Sequence, residues 1–277
     1  MAVASVDENF EMWQQTYRWP DAGDEWSSGW GGPQDQWQNW LAPRLAAGTG
    51  GRSTHSSVAV EIGCGYGRWT QFLATSYQRV VAVDLAPGCV AASRARFADD
   101  DSVTVLQCDG SSLRGVEDAS VDLVFSFDSL VHADAETMDA YVAECARVLR
   151  PDGVAFLHHS NLGACVPDRS RLLQRRSIRR VAASMSLAEP NVHWRDPTVD
   201  ADVVTRAARR HGLACVEQEL LAWGTRRQLI DCISILRRGT DRPAEPGRVV
   251  NRRFLAEMDA SGRRAADRAD PAPDGVT

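Results

Sequence analysis

The residues best suited to chemistry stand in one run, Glu61-Ile62-Gly63-Cys64-Gly65-Tyr66-Gly67-Arg68-Trp69, directly after the apolar stretch VAV. Glycines at alternate positions allow a sharp turn from strand to helix and leave main-chain N–H groups open to a close ligand. Asp84 ends the next apolar stretch, RVVAVD, about twenty residues on, where a carboxylate can accept from both hydroxyls of a ribose. Together these features imply a cofactor that contains a nucleoside. A dinucleotide fingerprint, GxGxxG, would need glycine at position 68, where Arg68 stands, and Glu61 adds negative charge beside a pyrophosphate. The spacing is GxGxG instead.

Candidate proton acceptors lie further along. His132 follows the run VDLVFSFD, and His158 and His159 end the run GVAFLHHS. These are ends of expected strands, where open α/β sheets place ligands. An imidazole titrates near neutrality, so each of the three is a candidate base for a hydroxyl.

Five short apolar runs, VAVEIG, RVVAVDL, SVTVLQCDG, VDLVFSFD and GVAFLHHS, must position these groups. Most are almost unbroken, as expected of parallel strands buried on both faces. Helix-like stretches separate them: RWTQFLATSY, APGCVAASRARFA and DAETMDAYVAECARVLR. The alternation predicts an α/β, doubly wound sheet. LRPDG, residues 149–153, predicts a turn before the fifth strand, since proline stops a helix and glycine suits the turn. TVDADVVTRAARRHGL predicts a helix ending at Gly212, and GLACVEQELLAW and RRQLIDCISILRR predict two antiparallel strands joined at Gly224. The stretch 163–195 holds RSRLLQRRSIRRVAAS, a predicted helical insert on the substrate side.

This set of motifs resembles the class I S-adenosylmethionine-dependent methyltransferase family, and within it the small-molecule (sugar and natural-product) enzymes. The resemblance rests on VEIGCGYGRW, VVAVDL, QCDG, VDLVFSFDSLVH and LRPDGVAFLH, in that order, over roughly residues 57–160. It implies a Rossmann-like sheet, mostly parallel with an antiparallel C-terminal hairpin, and S-adenosylmethionine as cofactor. It also implies roles for residues. Glu61, Gly63 and Gly65 belong to the loop that holds the methionine part, and Asp84 takes the ribose. Leu85 flanks the adenine, Asp109 and Gly110 meet its edge, and Phe127 or Asp128 closes the pocket. Methyl transfer relieves the sulfonium charge by in-line displacement, so no metal is chemically necessary. The protein's task is to position the nucleophile, exclude water and take a proton.

The acceptor side is read from outside this core. The first forty residues carry Trp13, Trp19, Trp26, Trp30, Trp37 and Trp40 among seven acids and one arginine. So aromatic a segment must pack on something, as a structural arm or as a lid over a ligand. Residues 1–55 are expected to form this arm, with Trp26 facing substrate. Residues 56–238 are expected to form the cofactor domain, and 239–277 a mobile tail with a short helix at NRRFLAEMDA. His193, Trp194 and Arg195 resemble a substrate-facing segment of small-molecule members, and Asp134, Asn161 and Trp223 are candidates to complete it. Aromatic faces beside donors suit a sugar ring. The acceptor is therefore expected to be a hydroxyl or amino group of a sugar, glycoside or aminoglycoside-type natural product, as in antibiotic biosynthesis and other secondary metabolism. For an amine, Asp24, Glu25 or Asp35 would attract the cation. The alternatives are a protein or RNA methyltransferase and a non-catalytic binder of the cofactor.

Composition excludes other classes. All 31 basic residues are arginine, so phosphate-binding and Schiff-base chemistries that need a lysine are absent. A net charge of −6 argues against general nucleic-acid binding. Seven cysteines without a CxxC pair read as free thiols, not a zinc site. No apolar run reaches membrane-spanning length and no secretory leader is evident, so a cytoplasmic protein is expected, with a homodimer compatible.

Overall fold

The computed structural model describes residues 5–50, 57–165, 194–223, 228–238 and 245–260. The six-arginine stretch of the insert, Gly224 and His193 lie outside the described residues.

Eight strands form one sheet: β1 Val58–Ile62, β2 Arg79–Asp84, β3 Val103–Gln107, β4 Val121–Ser126, β5 Leu149–Ser160, β6 Leu213–Leu221, β7 Asp231–Arg238 and β8 Gly247–Asn251. Their order across the sheet is β3-β2-β1-β4-β5-β7-β6-β8. The first five pair in parallel, and β7 runs antiparallel to both β5 and β6. This is the expected Rossmann-like sheet with its antiparallel C-terminal pair. The strand order reverses between β1 and β4, which opens a crevice at their C-terminal ends.

Helices cover both faces. In the first half of the chain lie α1 Val6–Glu11, α2 Pro33–Gln36, α3 Ala42–Thr49, α4 Thr70–Ser76 and α5 Pro87–Arg96. Then come α6 Ala135–Val148, α7 Leu162–Cys165 and α8 Ala201–Arg210. The Asp134 side chain starts α6 by accepting from Thr137 N, and the helix buries Met138, Tyr141, Val142, Cys145 and Val148, one stripe at helical spacing. Asp200 caps α8 in the same way. Both helices pack on one face of the sheet, where Val60, Val124, Leu157 and Leu236 complete the core. Among the described residues no helix is long and apolar enough to cross a membrane.

Three expectations change. LRPDG opens β5 instead of preceding it, and the register opposite slips between Val121 and Leu123. Pro151 and Asp152 are exposed in this irregularity, where a residue without an N–H is tolerated. The aromatic arm divides in two: Trp37, Trp40, Leu41 and Leu45 belong to the second core, on the other face of the sheet, and only the part before them lies over the crevice.

The third change concerns 239–277, expected as a mobile tail. Residues 247–251 form β8, parallel to β6, while residues 254–260 are helical, as expected of NRRFLAEMDA. Phe254 and Met258 are fully buried. Phe254 packs edge-on against Trp40 at 5.1 Å and stacks on Trp223 at 4.9 Å. Glu257 accepts from Trp40 Nε1 at 3.1 Å and pairs with Arg44 at 2.9 Å. Burial of two apolar side chains explains why a segment of polar composition is held. Phe254→Ala should therefore lower unfolding free energy by about 3–5 kcal/mol, as for a core phenylalanine, measured by urea denaturation; a change within ~0.5 kcal/mol would mark a surface position instead.

Candidate functional site

At the end of β1 the chain turns through Gly63 (φ 71°) and Gly65 (φ 55°). The N–H groups of Gly63 and Cys64 donate to Val83 O at 2.8 and 3.1 Å, which ties the loop to β2. Asp84 receives Gly65 N at 2.8 Å and Ala86 N at 2.9 Å. Burial raises the pKa of its carboxyl, opposed by these main-chain hydrogen bonds. A Cβ on Gly63 would lie 1.8 Å from Ser129 Oγ, and one on Gly65 would lie 3.2 Å from the Trp19 ring. The loop is a cradle only glycine can form here. Glu61, by contrast, faces away from the crevice and accepts from Thr70 Oγ1 at 2.6 Å, joining β1 to α4. Burial pushes its carboxyl up to about 7.

Two hollows meet above the loop and share Trp13, Gly63, Asp84 and Ser129. The smaller, about 70 Å³, is a slot between Leu85, Cys108, Gly110 and Tyr141, roofed by Val6 and Asn9. Leu85 and Gly110, the residues expected beside an adenine, thus stand together next to Asp84. Asp109 is not with them. It is spent on a local turn, accepting from Ser111 N and Ser112 N at 3.0 and 2.8 Å. Slight burial would raise its pKa, and these bonds outweigh that and lower it.

The larger hollow, about 210 Å³, contains Phe127 and Asp128 as expected, and aromatic rings from the arm form much of its wall. Trp26 lines it, as do Trp13, Trp19 and Trp30 of the same arm, for which no substrate contact was expected individually. Trp19 stacks on Tyr66 at 4.7 Å, and Trp13 reaches His132 at 5.1 Å and Trp194 at 6.1 Å. Polar bonds fasten the arm to both halves of the crevice: Asn9 Nδ2 donates to His132 O at 3.0 Å, and Gln14 Oε1 accepts from Gly88 N at 2.8 Å. Arg68 joins in, donating to Ser27 Oγ at 3.3 Å and to Asp128 at 3.0 Å. Asp24, Glu25 and Asp35 do not line either hollow. Glu25 accepts instead from Tyr17 at 3.0 Å and Gly23 N at 2.8 Å.

The three histidines separate. His132, in the turn Leu130–His132, lines the larger hollow. Its Nδ1 lies 2.8 Å from Trp194 O. A carbonyl only accepts, so Nδ1 carries the proton and Nε2 the lone pair. Burial, then the Arg195 charge, pushes its pKa down to about 4, which leaves the ring neutral at pH 7. His158 has no spare lone pair: Nδ1 accepts from Asp128 N at 3.1 Å, and the ring stacks on Phe127 at 4.5 Å. His159 is wedged in the sheet between Ser160 O and Ser234 Oγ, both at 2.8 Å, and burial pushes it too down to about 4. Neither His158 nor His159 lines the hollows.

Of the expected substrate residues, Trp26, Trp194, Arg195 and Trp223 line the larger hollow. Arg195 is gripped by Asp231, Nε to Oδ1 at 2.7 Å and an Nη to Oδ2 at 2.8 Å, and lies 5.0 Å over the Trp223 ring. Asp134 is the α6 cap. Asn161 is structural, donating to Leu229 O at 2.6 Å and accepting from Ala201 N at 2.9 Å. Among the described residues, no three His, Cys, Asp or Glu side chains converge as metal ligands.

Comparison with known proteins agrees with this geometry. Residues 60–157 match the family model described as a methyltransferase domain. A probable S-adenosylmethionine-dependent methyltransferase of Mycolicibacterium smegmatis is 33% identical over 43% of this chain and 42% of its own length. The malonyl-[acyl-carrier protein] O-methyltransferase of Methylococcus capsulatus is 30% identical over 65% of this chain and 55% of its own. The chain thus spans about half the length of the curated relatives it matches. Among solved structures, a protein from Pyrococcus horikoshii OT3 superposes with a TM-score of 0.53 at 18% identity, covering 83% of this chain and 96% of that one. Geranyl diphosphate C-methyltransferase from Streptomyces coelicolor A3(2), solved with S-adenosyl-L-homocysteine, gives 0.51 at 13% identity, covering 72% and 78%. At such identities the structures show a shared fold.

Two outcomes are expected. Gly63→Ala should weaken S-adenosylhomocysteine binding by at least about tenfold in calorimetry, since the new methyl group meets Ser129 on a left-handed backbone; unchanged affinity in a folded variant would count against the cradle. In ¹⁵N-histidine NMR, His132 and His159 should stay neutral until the pH falls to about 4, whereas titration near 6.5 would show that they are solvated.

Proposed function

We propose that this chain, whose residues 60–157 match the family model of a methyltransferase domain, is an S-adenosylmethionine-dependent enzyme that transfers a methyl group to a hydroxyl of a polar, ring-shaped small molecule of the sugar or glycoside class. The observation that carries this reading is the junction of the two hollows at Asp84 and Gly63, one a narrow slot beside Leu85 and Gly110 and the other an aromatic chamber with the His132 ring on its wall.

S-adenosylmethionine supplies, when bound, a methyl group on a sulfonium centre. The residues present suit it. Leu85 and Gly110 flank the slot where an adenine fits, and Asp84 offers its carboxylate to the ribose. Gly63 and Gly65 line the chamber where the methionine part would lie, and their lack of side chains lets Ser129 and Trp19 close in around it. The tryptophans of the arm exclude water from the chamber and offer flat faces to a sugar ring. Their mutual packing lets them hold a ring-shaped acceptor in one orientation, a source of rate enhancement in a displacement. His132, neutral with its lone pair on Nε2, takes the hydroxyl proton as the new bond forms. The paired state of Arg68 with Asp128 and of Arg195 with Asp231 leaves the chamber without a strong net charge, which favours an uncharged acceptor.

An amino-sugar acceptor is the second reading, favoured by the aromatic wall itself, since indole faces attract cations. The partial match to phosphoethanolamine N-methyltransferase 1 of Caenorhabditis elegans, 29% identical over 38% of this chain and 22% of that protein, supports it.

Calorimetry with S-adenosylmethionine and S-adenosylhomocysteine comes first, on the intact chain and Asp84→Ala; binding in the micromolar range, lost in the variant, is expected. A panel of glycosides and amino sugars is then assayed for methyl transfer. With a hydroxyl acceptor, His132→Gln should lower kcat by about 10²–10⁴ and leave cofactor affinity intact. No cofactor binding by the folded protein would overturn the proposal, and an acceptor turned over equally by His132→Gln would exclude His132 as its base.

A further inference from the structure

Asp231 is the first residue of β7, and nothing in the run RRQLIDCISILRR marks it as more than a polar position in an apolar strand. In the sheet it stands between Ser160 of β5 and Leu221 of β6, fully buried. Both its oxygens are taken by Arg195, at 2.7 and 2.8 Å, in the bidentate geometry that fixes a guanidinium in direction as well as place. His158 Nε2 stands 3.4 Å from the same carboxylate.

What Arg195 carries with it is the main chain of Trp194. That residue has φ 54°, in the left-handed region that a tryptophan adopts only when its surroundings impose it. Among the described residues, the restraints on its C-terminal side are three. The Arg195 side chain is held by Asp231, Asp196 N donates to Val131 O at 3.1 Å, and Ser160 Oγ donates to Asp196 O at 2.6 Å. The outcome of the unusual turn is that Trp194 O points at His132 Nδ1, 2.8 Å away. The other charged groups felt by His132 are Arg195, Asp128 and Asp231.

We propose that Asp231 is a positioning residue for methyl transfer. By holding Arg195 it keeps the Trp194 carbonyl on His132 Nδ1, and so keeps the His132 lone pair on Nε2. A carbonyl selects one tautomer of its imidazole partner, much as a carboxylate does where a histidine must present a chosen nitrogen. The inference rests on the reading of His132 as proton acceptor, but the tautomer can be measured without any ligand.

The test is ¹⁵N-histidine NMR of the full chain, with the His132 signals assigned by their loss in His132→Gln. The parent should show a single Nδ1–H tautomer. In Asp231→Asn a mixture with the Nε2–H form should appear, with kcat down by about tenfold or more and S-adenosylhomocysteine affinity within about twofold; Asp231→Glu should restore part of both. Removing one partner of a buried pair leaves a charge unmatched, so Arg195→Met combined with Asp231→Leu gives a variant that takes out both charges and keeps the packing. It should show the same mixture. An unchanged Nδ1–H tautomer in these folded, cofactor-binding variants would overturn the role of Asp231 with the base reading intact. Full turnover in His132→Gln would remove the base reading, and with it this role, whatever the spectra show.

Discussion

The site is built around one buried carboxylate. Asp84 sits where β2 ends, almost out of water, and its desolvation is tolerable because main-chain N–H groups of Gly65 and Ala86 point at it. To deliver the Gly65 N–H, the loop after β1 must double back through two left-handed residues, which brings Gly63 under Ser129. That in turn fixes where β4 must end and where the turn carrying His132 begins. The walls of both hollows follow from this single hydrogen-bonded corner. The remaining freedom lies in what is laid over it.

What is laid over it is the first part of the chain. Its tryptophans are held by contacts with each other and with Tyr66, His132 and Trp223 as much as by hydrogen bonds. Such a cover is firm in aggregate while each ring contributes modestly. The second part of the same segment is a different object, a layer of core whose Trp40 and Leu41 are inaccessible. One composition thus serves two ends, one lining a cavity and the other filling space.

The central sheet and the glycine loop were legible because their physics is local. Parallel strands buried on both faces must be nearly continuous apolar runs, and the turn after β1 needs glycine. The slot residues Leu85 and Gly110 came from the family resemblance of VVAVDL and QCDG, not from that local physics. The acceptor side was not legible in this way. Neighbours on a strand face opposite sides, so His158 and His159 could never both have looked into one cavity, and here neither does. Asp109 was lost to two serines that follow it and offer a closer set of donors. Asp231 carries no signal in a strand of Cys, Ile and Leu; only the fold reveals that Arg195 comes to it from 36 residues away. β8 was missed because GRVVN has too few apolar residues to read as a strand, and its place depends on a free edge of β6.

The ion pair and indole hydrogen bond that join Arg44 and Trp40 to Glu257 have a meaning for how the molecule comes into being. They close loops of 213 and 217 residues, among the most distant contacts in the chain. A ribosome makes one partner long before the other, so the layer around Trp40, which Trp69, Phe72 and Phe127 begin to cover, is completed only when Phe254 has emerged to meet it. During synthesis the Trp40 face that Phe254 covers must wait exposed, the condition under which chains of high contact order fold slowly and associate wrongly. The helix at 254–260 therefore acts as a latch in time as well as in space, completing a layer whose other half was made first.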